Sequence, residues 1–512
     1  MRSRFFQTFS CLLVLTSLPA LTRADNAIAD ARKLAEHIDS HIAAKWSVNG
    51  IKPAARADDA EFLRRAYLDV AGRIPSVAEA RQFLAARTPD KRARLIERLL
   101  DSPGYVTHFS TIWRLLLVPE TETNARQRAA LPMLEEWLRH QLAEDAGFDK
   151  IVRALLTVPL DDPRRNPNDP SPRAFFLGRE TKPEDVAASA TRLFLGLRLE
   201  CAQCHNHPFA HWKREEFWSQ AAFFAAPGRQ EDHLELTIPG TTRVVHAGFI
   251  DGGKLSPKAA RRPREAFADW VIRPENPYFA RAAVNRLWGL FFGIGLVNPV
   301  DDFTQSNQPS HPELLDELAR EFAGHNFDIK FVIRALMLSN AYQLSGTPGN
   351  AGDVEPRMFA RMSLRSLTPE QLFDSLAQAT GYREPATLRQ RLLASAGPRQ
   401  QFLSRFPRGE SATEPAVSIP QALAMMNGPL VARVTDVGQS RTLSAIADAP
   451  FMTTAERVET LFLATLTRKP RADEAERMTR YVDQGGATGN SKEALADVFW
   501  ALLNSGEFAF NH

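Results

Sequence analysis

Apolar residues spaced three and four positions apart recur along almost the whole of this chain, and that period admits helices and little else. In SHPELLDELAREFAG, Leu314, Leu315, Leu318 and Phe322 fall on one helical face, with Ser310 and Glu313 as a capping box and Gly324 as the stop. SVAEARQFLA opens the same way with Ser76 and Glu79. TPDKRARLIERLL places Thr88 as N-cap and Pro89 at the first helical position. TKPEDVAASATRLFLGLRLE carries Val186, Ala190, Leu193, Phe194 and Leu197 on one face, and FDIKFVIRALMLSNAYQL reads as a further buried helix. The expectation is a mostly α protein.

One region breaks the period. LELTI and TRVVHA alternate around Pro-Gly, the pattern of a small β-hairpin. It divides the chain into two helical halves joined by a short β-hairpin and loop segment. The expected organisation is a signal peptide at 1–24, an N-terminal helical domain at 25–226, a linker at 227–262 and a C-terminal helical domain at 263–512. The stretch from Gly397 to Glu414, rich in Pro, Arg, Gly and Ser, reads as loop. GFDKIVRALLT (147–157) echoes NFDIKFVIRALMLS (326–339), but the echoes are too sparse for a repeat array.

The first residues read as an export signal. Arg2 and Arg4 precede a short apolar run, and small residues precede Asp25, so cleavage is expected after Ala24 or Ala20. Cys11 lies before most of that run, where a lipid-anchored cysteine does not belong. No later stretch is long enough to span a bilayer. Removing 1–24 takes away Arg2, Arg4 and Arg23 and leaves 60 basic against 60 acidic residues. A balanced charge argues against a general nucleic-acid or anionic-membrane binder. The exported chain then holds only Cys201 and Cys204, too few for a disulfide scaffold.

Those two cysteines lie in LRLECAQCHNHPFAHWKREEFW, with His205, His207 and His211 beside them. Cys-x-x-Cys-His is the attachment pattern of c-type haem. Two thiols add to the vinyl groups on one porphyrin edge, and the following histidine supplies an axial nitrogen. The preceding helical stretch, running straight into CAQCH, reads as a rigid mount. Cys201, Cys204, His205 and His207 also make a donor set for zinc or copper, though adjacent ligands strain one tetrahedron. A disulfide is the third reading, but an active Cys-x-x-Cys favours a helix N-terminus, and this one follows a helix C-terminus. His207 could orient a haem propionate, ligate a metal or act as acid and base. His211 reads as solvent-facing. Phe209, Trp212, Phe217, Trp218, Phe223 and Phe224 could wall a haem, although such a stripe also makes ordinary core.

Longer motifs carry a resemblance. FLRRAYLDVAGRIPSVAEARQFL and FLGLRLECAQCHNHPFAHWKREEFW resemble the exported planctomycete cytochrome-type family DUF1549. PENPYFARAAVNRLWGLFFGIGLVNPVDDF, RSLTPEQLFDSL, IPQALAMMNGPL and the closing ALADVFWALLNSGEFAFNH resemble its usual partner, DUF1553. The resemblance spans nearly the whole chain after residue 24. It implies a cytochrome-like protein, on the strength of the same Cys-x-x-Cys-His. The family pattern has Asp where this chain has Asn206. Many relatives carry an additional cytochrome c domain. This chain holds no second Cys-x-x-Cys-His, which makes it a short form that needs an external electron donor or acceptor.

A second cluster lies in the C-terminal half. Asp301 and Asp302 follow NRLWGLFFGIGLVNPV, and Arg286 could face them, as a catalytic or metal-binding set or as an ion pair pinning two helices. His311, Met425 and Met426 are candidate axial ligands, or ordinary core. The expectation is an exported redox protein with one covalent haem c. A haem- or metal-dependent oxidoreductase acting on organic substrates is its sharper form. The alternative is a helical envelope or scaffold protein with a zinc or copper site at the same loop.

Overall fold

Helices make up nearly all of the regular structure, and strands occur only as two two-stranded pairs among the described residues. The computed structural model describes residues 18–119, 125–160, 166, 168–206, 212–225, 235–253, 255–347, 354–383, 397–406, 425–426 and 428–512. The mostly α expectation holds. The hairpin holds too: Glu235–Thr237 pairs antiparallel with Val244–His246, with Leu236 opposite Val245.

Local rules place some helix ends and miss others. Ser76 accepts the Glu79 N–H, and the Glu79 carboxylate accepts the Ser76 N–H, the expected reciprocal box. At Ser310 the box does not form. Pro312 opens the helix Pro312–Gly324, so His311 becomes the N-cap. The Ser310 hydroxyl meets His311 Nδ1 instead, at 3.0 Å. Gly324 is the last helical residue rather than the stop. Thr88 sits in a turn, and the helix starts later, at Lys91, behind Asp90. Pro398–Leu403 is helical where the composition suggested loop, because Phe402 and Leu403 are buried; residues 407–414 of that stretch lie outside the described residues. The caps make a direct test. Ser76→Ala is expected to cost about 1 kcal/mol, and Ser310→Ala less than about 0.5 kcal/mol, both measured by urea unfolding. Equal losses would show that Ser310 does cap its helix.

The first helix, Leu18–Asn49, runs through both expected cleavage positions. Residues 1–17 lie outside the described residues. Ala31 is the earliest buried residue whose side chain is described, followed by Leu34, Ile38 and Ile42. None of these packed positions lies within 1–24.

Two apolar clusters hold the chain together, and neither is a half of the sequence. The larger draws on residues from Ala31 to Met362, plus Leu463. The smaller combines Leu68 and Ile74 with residues from Leu367 to Phe508. The helix Asp59–Ala71 serves both: Phe62, Leu63, Ala66 and Val70 point into the larger, and Leu68 into the smaller. The two ends of the larger cluster interlock through backbone. Ala54 donates to Ala360 O, Ala57 to Gln343 O, and Ser345 to Ala55 O. Asp39 of the first helix accepts the N–H groups of Asn340 and Ala341. Phe148 donates to Phe327 O. Burying each large apolar side chain in these clusters contributes roughly 1.5–3 kcal/mol, and the larger cluster draws on both halves of the chain.

Candidate functional site

The segment leading into the cysteines is not one continuous helix. Pro183–Ala190 is α-helical, Thr191–Leu195 is a π-turn, and Gly196 ends it with φ +68. The π-turn inserts an extra residue per turn and re-aims the chain beyond it. Thr191 stabilises it, bonding back to Ala187 O at 2.6 Å and accepting from Gln220 at 2.8 Å. The rigid-helix mount expected from sequence is therefore replaced by a hinge-like corner. A side chain at Gly196 would strike the Phe303 ring, 2.6 Å from the ideal Cβ, and Phe303 N–H donates to Gly196 O at 2.9 Å. The corner is thus seated on the C-terminal half.

Glu200–Gln203 form a 3₁₀ turn with Cys204 as its cap. In that geometry residues three apart eclipse one another, so Cys201 and Cys204 share a face. Both thiols are exposed and unpaired with each other. Ala202, between them, is fully buried and pins the turn to the larger core. The Gln203 carbonyl accepts from Trp218 Nε1 at 3.0 Å and Arg214 Nε at 3.1 Å. Arg214 also reaches Pro239 O at the tip of the hairpin, at 2.7 Å, so the β-segment braces the loop.

His205 is exposed, and its Nδ1 lies 2.7 Å from Asn206 O. A carbonyl oxygen only accepts, so in the neutral imidazole Nδ1 carries the proton and Nε2 keeps its lone pair. That is the tautomer and the supporting bond used by metal-ligating histidines. The Asn206 side chain accepts the Arg214 N–H at 2.9 Å, tying the loop to the start of the helix Arg214–Ala221. His207, Phe209 and His211 lie outside the described residues. Trp212, Phe217, Trp218, Phe223 and Phe224 are buried in the larger core. Phe223 stacks on Phe249 with ring centroids 4.9 Å apart. Among the described residues no three histidine, cysteine or carboxylate side chains converge as a metal-binding group.

The second cluster lies beside this loop. Arg198, three residues before Cys201, donates to Asp301 through Nε at 2.9 Å and Nη2 at 2.7 Å. Arg192 Nη1 stands 3.7 Å from the other Asp301 oxygen. Arg286 is buried in the helix Phe279–Phe292 without a direct ion pair to Asp301. Burial is the main force lowering its guanidinium to about 10. Asp302 is only half-buried, with its carboxylate 3.4 Å from Asn307 Nδ2, and its charge favours the Arg198 guanidinium without a direct ion pair. Arg286 and Asp301 were legible as candidates in the sequence, whereas Arg192 and Arg198 were missed. The signal was Gly196, a lone glycine inside a helical pattern and so a candidate stop.

The other candidates sit elsewhere. His311 packs on Phe359, and burial first, then Lys45, His41 and Arg357, hold its imidazole down at about 4. None of these residues touches the cysteine loop. Met425 is buried in the smaller cluster, and Met426 is half exposed.

Fold and loop together define a helical protein of two packed cores that presents a Cys-x-x-Cys-His turn at its surface. Residues 37–228 match the PSCyt2 family model, described as a protein of unknown function (DUF1549), and residues 263–410 match PSD1, described as a protein of unknown function (DUF1553). The chain therefore joins a DUF1549 segment to a DUF1553 segment, the pairing its motifs resemble. No curated protein and no solved structure matches it. No described helix is long and apolar enough to cross a membrane.

Proposed function

We propose that this is an exported redox protein carrying one covalent c-type haem on Cys201 and Cys204, with His205 as an axial ligand. The observation that carries the reading is the His205 Nδ1–Asn206 O bond, which leaves Nε2 available in a turn that also exposes both thiols. When bound, the haem supplies one-electron transfer. The chain's own residues supply the rest. The 3₁₀ turn sets the thiol spacing, buried Ala202 anchors it, and Trp218 and Arg214 hold its carbonyl. An exposed site suits exchange with an external electron donor or acceptor. The zinc or copper reading needs a further ligand such as His207, since the described donors do not converge.

The test is expression in a host with haem-attachment machinery, followed by a peroxidase stain on a denaturing gel and intact mass. The expected result is one haem per chain and an N-terminus at Asp25 or Leu21. Cys201→Ala and Cys204→Ala each remove one thioether and weaken retention. His205→Ala keeps the porphyrin and changes the iron spin state. Stoichiometric zinc or copper without covalent haem would overturn the proposal, as would a disulfide between the two sulfurs.

A further inference from the structure

Arg286 is the anomalous side chain near the loop. It is 3% exposed, and both Nε and Nη2 lack a hydrogen-bond partner. Those two N–H groups form one edge of the guanidinium, the edge that takes a carboxylate or phosphate through two parallel bonds. Buried arginines elsewhere in this chain are better served. Arg65 donates to His512 O, Tyr342 O, Leu344 O and Glu61. Arg286 has no comparable set.

The nearest carboxylate does not fill the gap. Asp301 is committed to Arg198, and Arg192 approaches its second oxygen. Arg192 is also 3.6 Å from Glu200. The three guanidinium groups therefore find direct ion pairs only with Asp301 and Glu200, while Asp302 acts on Arg198 without pairing with it. The helix bearing Arg286 packs directly on the π-turn bearing Arg192. Exposure rises from Arg286 through Arg192, at 25%, to Arg198, at 48%, so the cluster leads from the interior to the surface. Repulsion from Arg192 and Arg198 adds to the burial that lowers the Arg286 guanidinium, and Asp301 only partly offsets it. A bound anion would satisfy the unpaired edge of this buried guanidinium.

We propose that Arg192, Arg198 and Arg286 form an oxyanion site that takes a carboxylate on the Nε/Nη2 edge of Arg286. Only Leu199 and Glu200 separate Arg198 from Cys201. The carboxylate has two possible sources: a propionate of a haem held at the cysteines, or a free small carboxylate. The site rests on the arginines alone and stands without the haem reading.

The test uses the full chain as the haem-free Cys201→Ala/Cys204→Ala variant. Inorganic phosphate and succinate are titrated at constant ionic strength, read by calorimetry and by Tm. One saturable site is expected. Arg192→Gln and Arg198→Gln, both at partly exposed positions, should each weaken it at least tenfold. Arg286→Lys, which keeps the charge and loses the forked edge, should do the same. If the lysine variant does not fold, the two glutamine variants carry the test. Absence of saturable binding for both probes, or binding unchanged in both glutamine variants, overturns the proposal. So does a crystal grown in succinate with only water on the Arg286 edge. Haem-loaded wild type then separates the sources: lost probe binding assigns the site to a propionate, and retained binding to a free carboxylate.

Discussion

Replacing Asp69 with alanine is expected to remove about 3–5 kcal/mol of folding free energy, far more than the loss of a helix cap or a surface ion pair. Asp69 is 6% exposed and gathers four donor contacts. Arg365 Nη2 lies 2.9 Å from each of its oxygens, Tyr342 OH donates at 2.8 Å, and Asn511 Nδ2 at 2.7 Å. Burial, with Asp69 itself beside it, pushes the Tyr342 phenol well up, so it stays protonated as a donor. Without the carboxylate, a buried phenol and a buried amide lose their acceptor, and half-buried Arg365 keeps only its bond to Leu290 O. The same helix carries Arg64, which donates to Phe508 O at 2.8 Å, and Arg65, which donates to His512 O at 3.0 Å. Asp69→Ala should therefore loosen residues 505–512 as well as lower the urea midpoint. The exposed pair Lys492–Asp448, 2.6 Å apart, is the control, and breaking it should leave the midpoint nearly unchanged. Equal midpoints for the two variants would show that the Asp69 network adds no more than a surface pair.

Gly196→Val is the second large effect expected. A β-branched residue at φ +68 costs about 1–2 kcal/mol in backbone strain. Forcing its side chain into the Phe303 ring adds about 1–3 kcal/mol of overpacking. The corner must then open, and it carries Leu197–Leu199 into the cysteine turn. Amide exchange across 197–205 is expected to rise at least tenfold, including at Ala202, whose N–H donates to Leu199 O. Gly240→Ala is the comparison: φ is +74, but nothing lies within 4 Å of the new Cβ. It should carry backbone strain alone and leave the 197–205 amides as they were. Unchanged exchange in Gly196→Val would show that the loop does not depend on its seat against Phe303.

The Cys201–His205 turn stood out in the sequence because its pattern is local: a three-residue spacing and the next residue define Cys201, Cys204 and His205. The Arg198–Asp301 link was not legible, since 103 positions separate its partners. Likewise Asn206 stood out in the sequence only as a departure from the family's Asp, yet its side chain holds the Arg214 N–H. Ser310 failed as a cap for a different reason. Pro312 set the helix start one residue too late for the Ser–x–x–Glu spacing to work.

By itself the sequence determined the helical class, the hairpin at 235–246 and the position of the thiol turn, because periodicity, turn chemistry and residue spacing act over a few residues. Tertiary structure alone decided that the chain's two halves both enter the larger core, that the DUF1553 segment seats the DUF1549 loop through Asp301 and Phe303, and that Arg286 is buried with one edge unpaired. Those outcomes depend on which surfaces exclude water together. That is a property of contacts between residues hundreds of positions apart, and no local pattern encodes it.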